Sequence, residues 1–213
     1  MRDRPLRNGF TLLELMMAMA VLGVVAVISG AVYVSTYRST LINAAANDLQ
    51  REVRDALTAL NAEVQFAVKS ARPGLTLPAG AQAISISPDG RTVTYTVPTD
   101  LSGQNFSQPI TIAFVTEDQP VPEGSWQEEF GNAVLDGGED QNGDGILNRQ
   151  LVITRDGETH PLGAANSLAN VRFALSPDGS MLIVTVTGTR RIRGAGLDQV
   201  IRFDTTSNIY LMN

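Results

Sequence analysis

Cysteine is absent from the 213-residue chain, so disulfides, zinc–thiolate sites and thiol catalysis are all excluded. A disulfide-free domain outside the cytoplasm needs some other staple for any long loop. Histidine occurs once, at His160, in a stretch that reads as a hairpin turn, and a lone exposed imidazole supports no base–nucleophile constellation. No enzyme is expected. The charge imbalance is small, 22 acidic against 16 basic side chains for a formal net charge of −6, which gives no general attraction to nucleic acid or to anionic lipid. No nucleic-acid partner is expected. Proline is missing from Phe10 to Arg72, and charge is missing from Leu15 to Tyr37.

Those last two absences describe one element. The charge-free run holds 23 residues, and at about 1.5 Å per residue a helix over it reaches roughly 34 Å, enough for a hydrocarbon core of ~30 Å. Arg2, Arg4 and Arg7 precede the run, and Tyr33, Tyr37 and Arg38 close it. The positive-inside bias therefore places the N-terminus in the cytoplasm and the remainder outside. A cleaved secretory signal would carry a shorter apolar region and a small-x-small site. Neither a plain anchor nor a secretory signal explains Glu14, a carboxylate at the mouth of the run. Such a charge costs on the order of 2.5–3.5 kcal/mol on insertion scales, so it must be paired or functional.

The stretch Gly9-Phe10-Thr11-Leu12-Leu13-Glu14, behind a short basic leader, resembles the class III signal of type IV prepilins and type II secretion pseudopilins. The resemblance implies that a prepilin peptidase cuts between Gly9 and Phe10 on the cytoplasmic face and methylates the new amino group of Phe10. It also implies that Glu14 pairs with the N-terminal ammonium of a neighbouring subunit during assembly, so that each of two costly charges compensates the other. The implied partners are the peptidase, other pilin or pseudopilin subunits, an inner-membrane assembly platform and membrane lipid. Since Glu14 is present, the chain is unlike the tip pseudopilin that typically lacks it.

Beyond Arg38, apolar residues continue at helical spacing through Leu41, Ala45, Leu49, Val53, Leu57, Leu60, Val64, Ala67 and Ala71, which predicts one amphipathic face. With Arg72-Pro73-Gly74 as the stop, a single helix of about 60 residues, near 90 Å, is expected. After residue 80 the period changes to two. Hairpins are predicted around Ser87-Pro88-Asp89-Gly90, around Asp156-Gly157 and around Ser176-Pro177-Asp178-Gly179, with a further strand at 109–115 and a C-terminal strand pair from Gln199 to Met212. The expected fold is α+β, a long N-terminal helix on an antiparallel sheet. The expected organisation is a leader at 1–9, a transmembrane half-helix at 10–37, an amphipathic half at 38–72, and a β-rich domain at 73–213 with an acidic loop at 116–150. This layout is similar to W-type minor pilins and J-type minor pseudopilins.

Within that loop, Asp140, Asn142 and Asp144 present oxygen donors at alternate places, Gly145 permits a tight turn, Ile146 offers a carbonyl and Asn148 fills the ninth place. This is the spacing of an EF-hand-type loop, which points to calcium. The twelfth place is Leu151 in place of a bidentate glutamate, so Asp136 or Glu139 would have to supply the missing carboxylate. The alternative is a solvated acidic loop with Asn-Gly and Asp-Gly turns. Trp126 is expected to pack beneath its own loop. The segment from Arg193 to Asp198 is expected to be a turn, and Arg190, Arg191 and Arg193 a solvated or subunit-facing cluster.

The function expected from these readings is a minor pilin or pseudopilin, trimmed after Gly9 and incorporated into a type IV pilus or a type II secretion pseudopilus. A competence pseudopilus component that aids DNA uptake, or a membrane-anchored calcium-dependent binding protein that never assembles, are the alternatives.

Overall fold

The computed structural model describes residues 11–69, 77–100, 102–118, 133–135, 139–140, 143, 145–163, 165–194 and 196–212. Helix α1 (Leu12–Val64) comes first, followed by β1 (Ser85–Ile86), β2 (Thr92–Tyr95), β3 (Ile110–Thr116), β4 (Arg149–Arg155), β5 (Glu158–Pro161), β6 (Leu168–Leu175), β7 (Met181–Gly194) and β8 (Leu197–Tyr210). The architecture is α+β, as expected.

The 53 residues of α1 extend for about 80 Å. Its first half is exposed throughout, while Leu49, Val53, Ala56, Leu60 and Val64 are buried in the second. Their spacing of three and four sets them on one face. Leu57, expected on that stripe, lies at its margin and packs against the core only in part.

The helix ends at Val64, well before the expected proline stop. Gln65 still donates to the Asn61 carbonyl at 3.1 Å, but the Val68 amide turns away to the Thr96 carbonyl at 3.1 Å, and the Val68 carbonyl accepts from Ile84 at 2.9 Å. Buried Ala67 and Val68 are thus captured by non-local backbone bonds, which satisfy the groups that a helical turn would otherwise satisfy.

Strands β1 to β5 form one antiparallel sheet in chain order, and β6, β7 and β8 form a second. All three hairpin turns fall where expected. At Ser87 and Ser176 the hydroxyl donates to the aspartate two residues on, and Gly90 and Gly179 take the positive φ angles of 71° and 66° that close each turn. The C-terminal strand pair is corrected. Residues 197–210 form one strand in unbroken antiparallel register with β7, from Gly194↔Leu197 to Met181↔Tyr210. The polar segment at 205–208 therefore does not turn: its side chains alternate across the pleat, with Thr206 facing Thr185 at 3.4 Å.

The core lies between α1 and the two sheets, with Val93, Ile112, Leu151, Leu182, Val184 and Val186 among its buried members. Helix and sheet approach tightly at Gly188 of β7. A Cβ there would come within 2.8 Å of Val53 Cγ2 and 2.9 Å of Leu49 Cδ1, so only glycine leaves room for α1 to cross.

Candidate functional site

Two places carry the candidate functional residues, the start of α1 and the neck of the acidic loop. At the first, Thr11 and Glu14 form a capping box. Glu14 Oε2 accepts the Thr11 backbone N–H at 2.9 Å and its hydroxyl at 3.0 Å, while the Thr11 hydroxyl accepts the Glu14 N–H at 3.2 Å. Two amide donors that the helix cannot satisfy internally are thereby paired. Thr-x-x-Glu ahead of an apolar run is itself a sequence signature of a helix start. Gly9 and Phe10, the expected processing residues, lie outside the described residues. Glu14 sits one turn into α1, at the end of the helix where a carboxylate also meets the positive pole of the macrodipole.

The segment that follows is built to meet an apolar medium. Leu12, Leu13, Leu15, Met16 and their successors to Val34 are exposed in the single chain, and an 18-residue window of α1 reaches a mean hydropathy of 2.5 with none of it buried by the rest of the protein. Length and composition suffice for one membrane crossing. Tyr33 and Tyr37 stack at its far end, with ring centroids 6.4 Å apart and planes within 3°, a pair suited to a membrane interface.

At the second place, Asp140 Oδ1 accepts from the Gly143 amide at 2.7 Å and Oδ2 from the Gly145 amide at 3.0 Å, so both amides converge on that carboxylate. Gly143 and Gly145 take φ angles of 74° and 71°. The Asn148 side-chain amide donates to the Ile146 carbonyl at 3.2 Å, which draws two of the expected ligands together. Asp136, Asn142 and Asp144 lie outside the described residues, as does Trp126. Among the described residues no three acidic or histidine side chains form a metal-binding group. Leu151 at the twelfth place belongs to β4, where it is buried opposite Phe114; a core strand position has no use for a carboxylate.

The neck itself is held by residues outside the expected ligand set. The Glu117 amide donates to the Asn148 carbonyl at 2.8 Å, and Glu117 Oε2 accepts the Asn148 amide at 2.9 Å. Next to this exchange, the buried Arg149 guanidinium reaches Asp118 Oδ2 at 3.2 Å, Thr189 Oγ1 at 2.6 Å and the Thr189 carbonyl at 2.9 Å. The same Asp118 oxygen accepts from the Ala133 amide at 3.2 Å. Asn166 donates to the Leu147 carbonyl at 2.7 Å and accepts from the Arg149 amide. Burial lowers the pKa of Arg149, and the Asp118 charge opposes that shift. A signal for this network existed in the sequence: Glu117, Asp118 and Arg149 adjoin strand patterns at both ends of the loop.

The exposed His160 lies on β5, and its partner is Glu158 at 3.4 Å. In the arginine cluster, Arg191 pairs with Asp198 at 2.6 Å, and Arg190 reaches Asp48 at 3.6 Å and Glu52 at 3.5 Å on α1.

Residues 4–30 match the family described as the prokaryotic N-terminal methylation motif. No curated protein and no solved structure matches the chain.

Proposed function

The chain carries a class III signal of the type IV pilin and pseudopilin kind, and from that premise we propose that it is a minor pilin or pseudopilin, a structural subunit with no reaction of its own. The carrying observation is Glu14, a carboxylate at the head of an otherwise apolar, fully exposed half-helix. Cleavage between Gly9 and Phe10 creates a cation four residues upstream of it. In the membrane the capping box holds the carboxylate on its own chain; in a filament the ammonium of a neighbour replaces or joins that contact. The exposed apolar half of α1 then exchanges lipid for the corresponding helices of its neighbours, and the β-rich domain forms the filament surface. The W-type minor pilin and the J-type minor pseudopilin are the subtypes proposed.

The acidic loop is proposed to hold calcium. Its donor set is hard oxygen throughout, and the Gly143 and Gly145 amides that converge on Asp140 support a loop folded about that carboxylate. Asp140, Asn142, Asp144, the Ile146 carbonyl and Asn148 would hold the ion, with Asp136 or Glu139 in the role of the missing twelfth carboxylate. Calcium there would neutralise the loop and stiffen a surface used for contacts.

The test is the mature N-terminus. Mass spectrometry of chain recovered from cells with an active prepilin peptidase is expected to give N-methyl-Phe10. An intact leader would instead favour the non-assembling, membrane-anchored binding protein.

A further inference from the structure

The β7–β8 hairpin outruns the sheet it belongs to. Strand β6 pairs with β7 only from Leu182 to Gly188, whereas β7 and β8 stay in register as far as Gly194↔Leu197. The projecting ribbon descends α1 step by step. At its upper end Met212 donates to the Gln65 carbonyl at 2.8 Å, midway Arg190 reaches Glu52 and Asp48, and at the turn a Cβ on Gly196 would lie 2.9 Å from Arg38 Nη2. Beyond that contact, Leu197 lines a groove of about 570 Å³ with Gly30, Ala31, Val34, Arg38 and Ile42 of α1.

Three markers on α1 fix the level of that turn. A hydrocarbon core that takes up about 20 residues from Leu12 ends near Ala31; the stacked Tyr33 and Tyr37 suit an interface; and Arg38 is the first charge after the apolar run. The polar layer beyond the hydrocarbon is about 5–8 Å thick on each side, and Arg38 stands roughly 10 Å beyond Ala31. The turn therefore lies at the outer border of the headgroups, and the groove leads inward from it to the hydrocarbon face at Gly30. Its chemistry suits that level, since Gly194, Gly196 and Leu197 carry no charge. Arg191, Arg193 and Asp198 sit on the hairpin face turned away from Arg190 and Ile192, where Arg191 engages Asp198 through both nitrogens at 2.6 and 2.9 Å.

We propose that the β7–β8 turn beds in the headgroup layer of the far leaflet, giving the β-rich domain a second contact with the bilayer beside α1. The partner is the lipid surface itself, with no preference for one headgroup: position, set by the register of a ribbon tied to α1, brings the turn there, and charge does not. Gly30, Ala31 and Val34 continue the exposed apolar surface of α1 into the groove, so lipid that covers the helix extends under Leu197 without a break. Tilting α1 toward the hairpin would push the turn into hydrocarbon, so the bedded turn limits tilt on that side. The proposal rests on α1 spanning the membrane, as the function above requires.

A chain without cysteine accepts a single nitroxide label at any chosen place. The full chain is reconstituted in phosphatidylcholine nanodiscs with one label at Leu197→Cys or at Arg193→Cys, the latter 64% exposed and so open to substitution, to report the turn. Val24→Cys reports the apolar run, and Glu158→Cys reports β5, whose register partner Arg155 pairs with Glu63 at 2.7 Å near the far end of α1. Depth is read from relaxation by oxygen, which concentrates in lipid, against relaxation by a water-soluble nickel chelate. Both turn labels are expected within about 5–8 Å of the hydrocarbon boundary, between the deep Val24 label and the fully nickel-accessible Glu158 label. Turn labels as nickel-accessible as the one on β5, with the Val24 label shielded, overturn the lipid contact alone. Turn labels shielded from nickel but not enriched in oxygen do the same, because protein and not lipid would then cover them. Bedding that appears only when phosphatidylglycerol is added also overturns it, since charge would then set the depth. A nickel-accessible Val24 label overturns the membrane-spanning reading and the lipid contact with it.

Discussion

Arg149 and Asp118 form a buried ion pair at 3.2 Å across the neck of the acidic loop. Asp118 lies two residues past the end of β3, Arg149 opens β4, and the arginine's other bonds go to Thr189 on the second sheet. In a chain without cysteine this pair is the staple, since it joins both ends of the loop and both sheets at one point. Asp118→Ala leaves a buried cation uncompensated and is expected to cost about 3–5 kcal/mol, read as a loss of unfolding free energy in the detergent-solubilised chain. Replacing Asp118 and Arg149 together by apolar residues should restore most of it; a double variant as unstable as Asp118→Ala would refute the pairing as the cause.

The two roles of Glu14 can be separated. Thr11→Ala removes one half of the capping box and is expected to cost about 1 kcal/mol of helix stability while leaving filament incorporation intact. Glu14→Ala should leave membrane insertion and leader cleavage intact and abolish incorporation, measured by co-purification with sheared filaments. Normal incorporation of Glu14→Ala would remove the intersubunit ion pair from the account.

Gly188→Ala places a methyl group against Val53 and Leu49 and is expected to destabilise the domain by about 1–3 kcal/mol through overpacking. Combined with Val53→Ala it should cost less than the sum of the two single changes, because they share one contact. Additive losses in a double-mutant cycle would contradict the close approach.

Calcium at about a hundredfold excess over its Kd is expected to stabilise the folded chain by about 2.7 kcal/mol, and Asp140→Ala to abolish the effect. Identical melting with millimolar calcium and with chelator would dispose of the site.

Acid should weaken the turns. The Ser176 hydroxyl, with Ser180, holds Asp178 at about 2, and Ser102, with Asn105 and Gln104, holds Asp100 at about 2. Both lie below the ordinary 3.8, so their stabilising contribution is complete above that value and is lost as pH falls through about 2. Asp178→Asn should flatten the pH dependence of stability over this interval, and carboxyl NMR titration should give a midpoint near 2 for Asp178. A midpoint at the ordinary carboxylate value would mean that the turn bonds do not hold in solution.

The part of the protein governed by local pattern is legible in the amino-acid order alone. Residues 15–37 carry no charge, Gly9, Phe10 and Glu14 stand at fixed spacing, and the Ser-Pro-Asp-Gly turns need only their own side chains and one positive-φ glycine. Those features place the helix, the signal and two of the three hairpins without reference to anything distant. Tertiary structure decided the rest. It ended α1 at Val64, because Val68 found backbone partners in Thr96 and Ile84, and it kept 197–210 a single strand, because β7 offered fourteen continuous register positions. It also closed the loop neck through Asp118 and Arg149, 31 residues apart, and set the hairpin turn on Arg38. Each of these depends on which strand lies beside which, and periodicity along one chain holds no information about a partner far away in sequence.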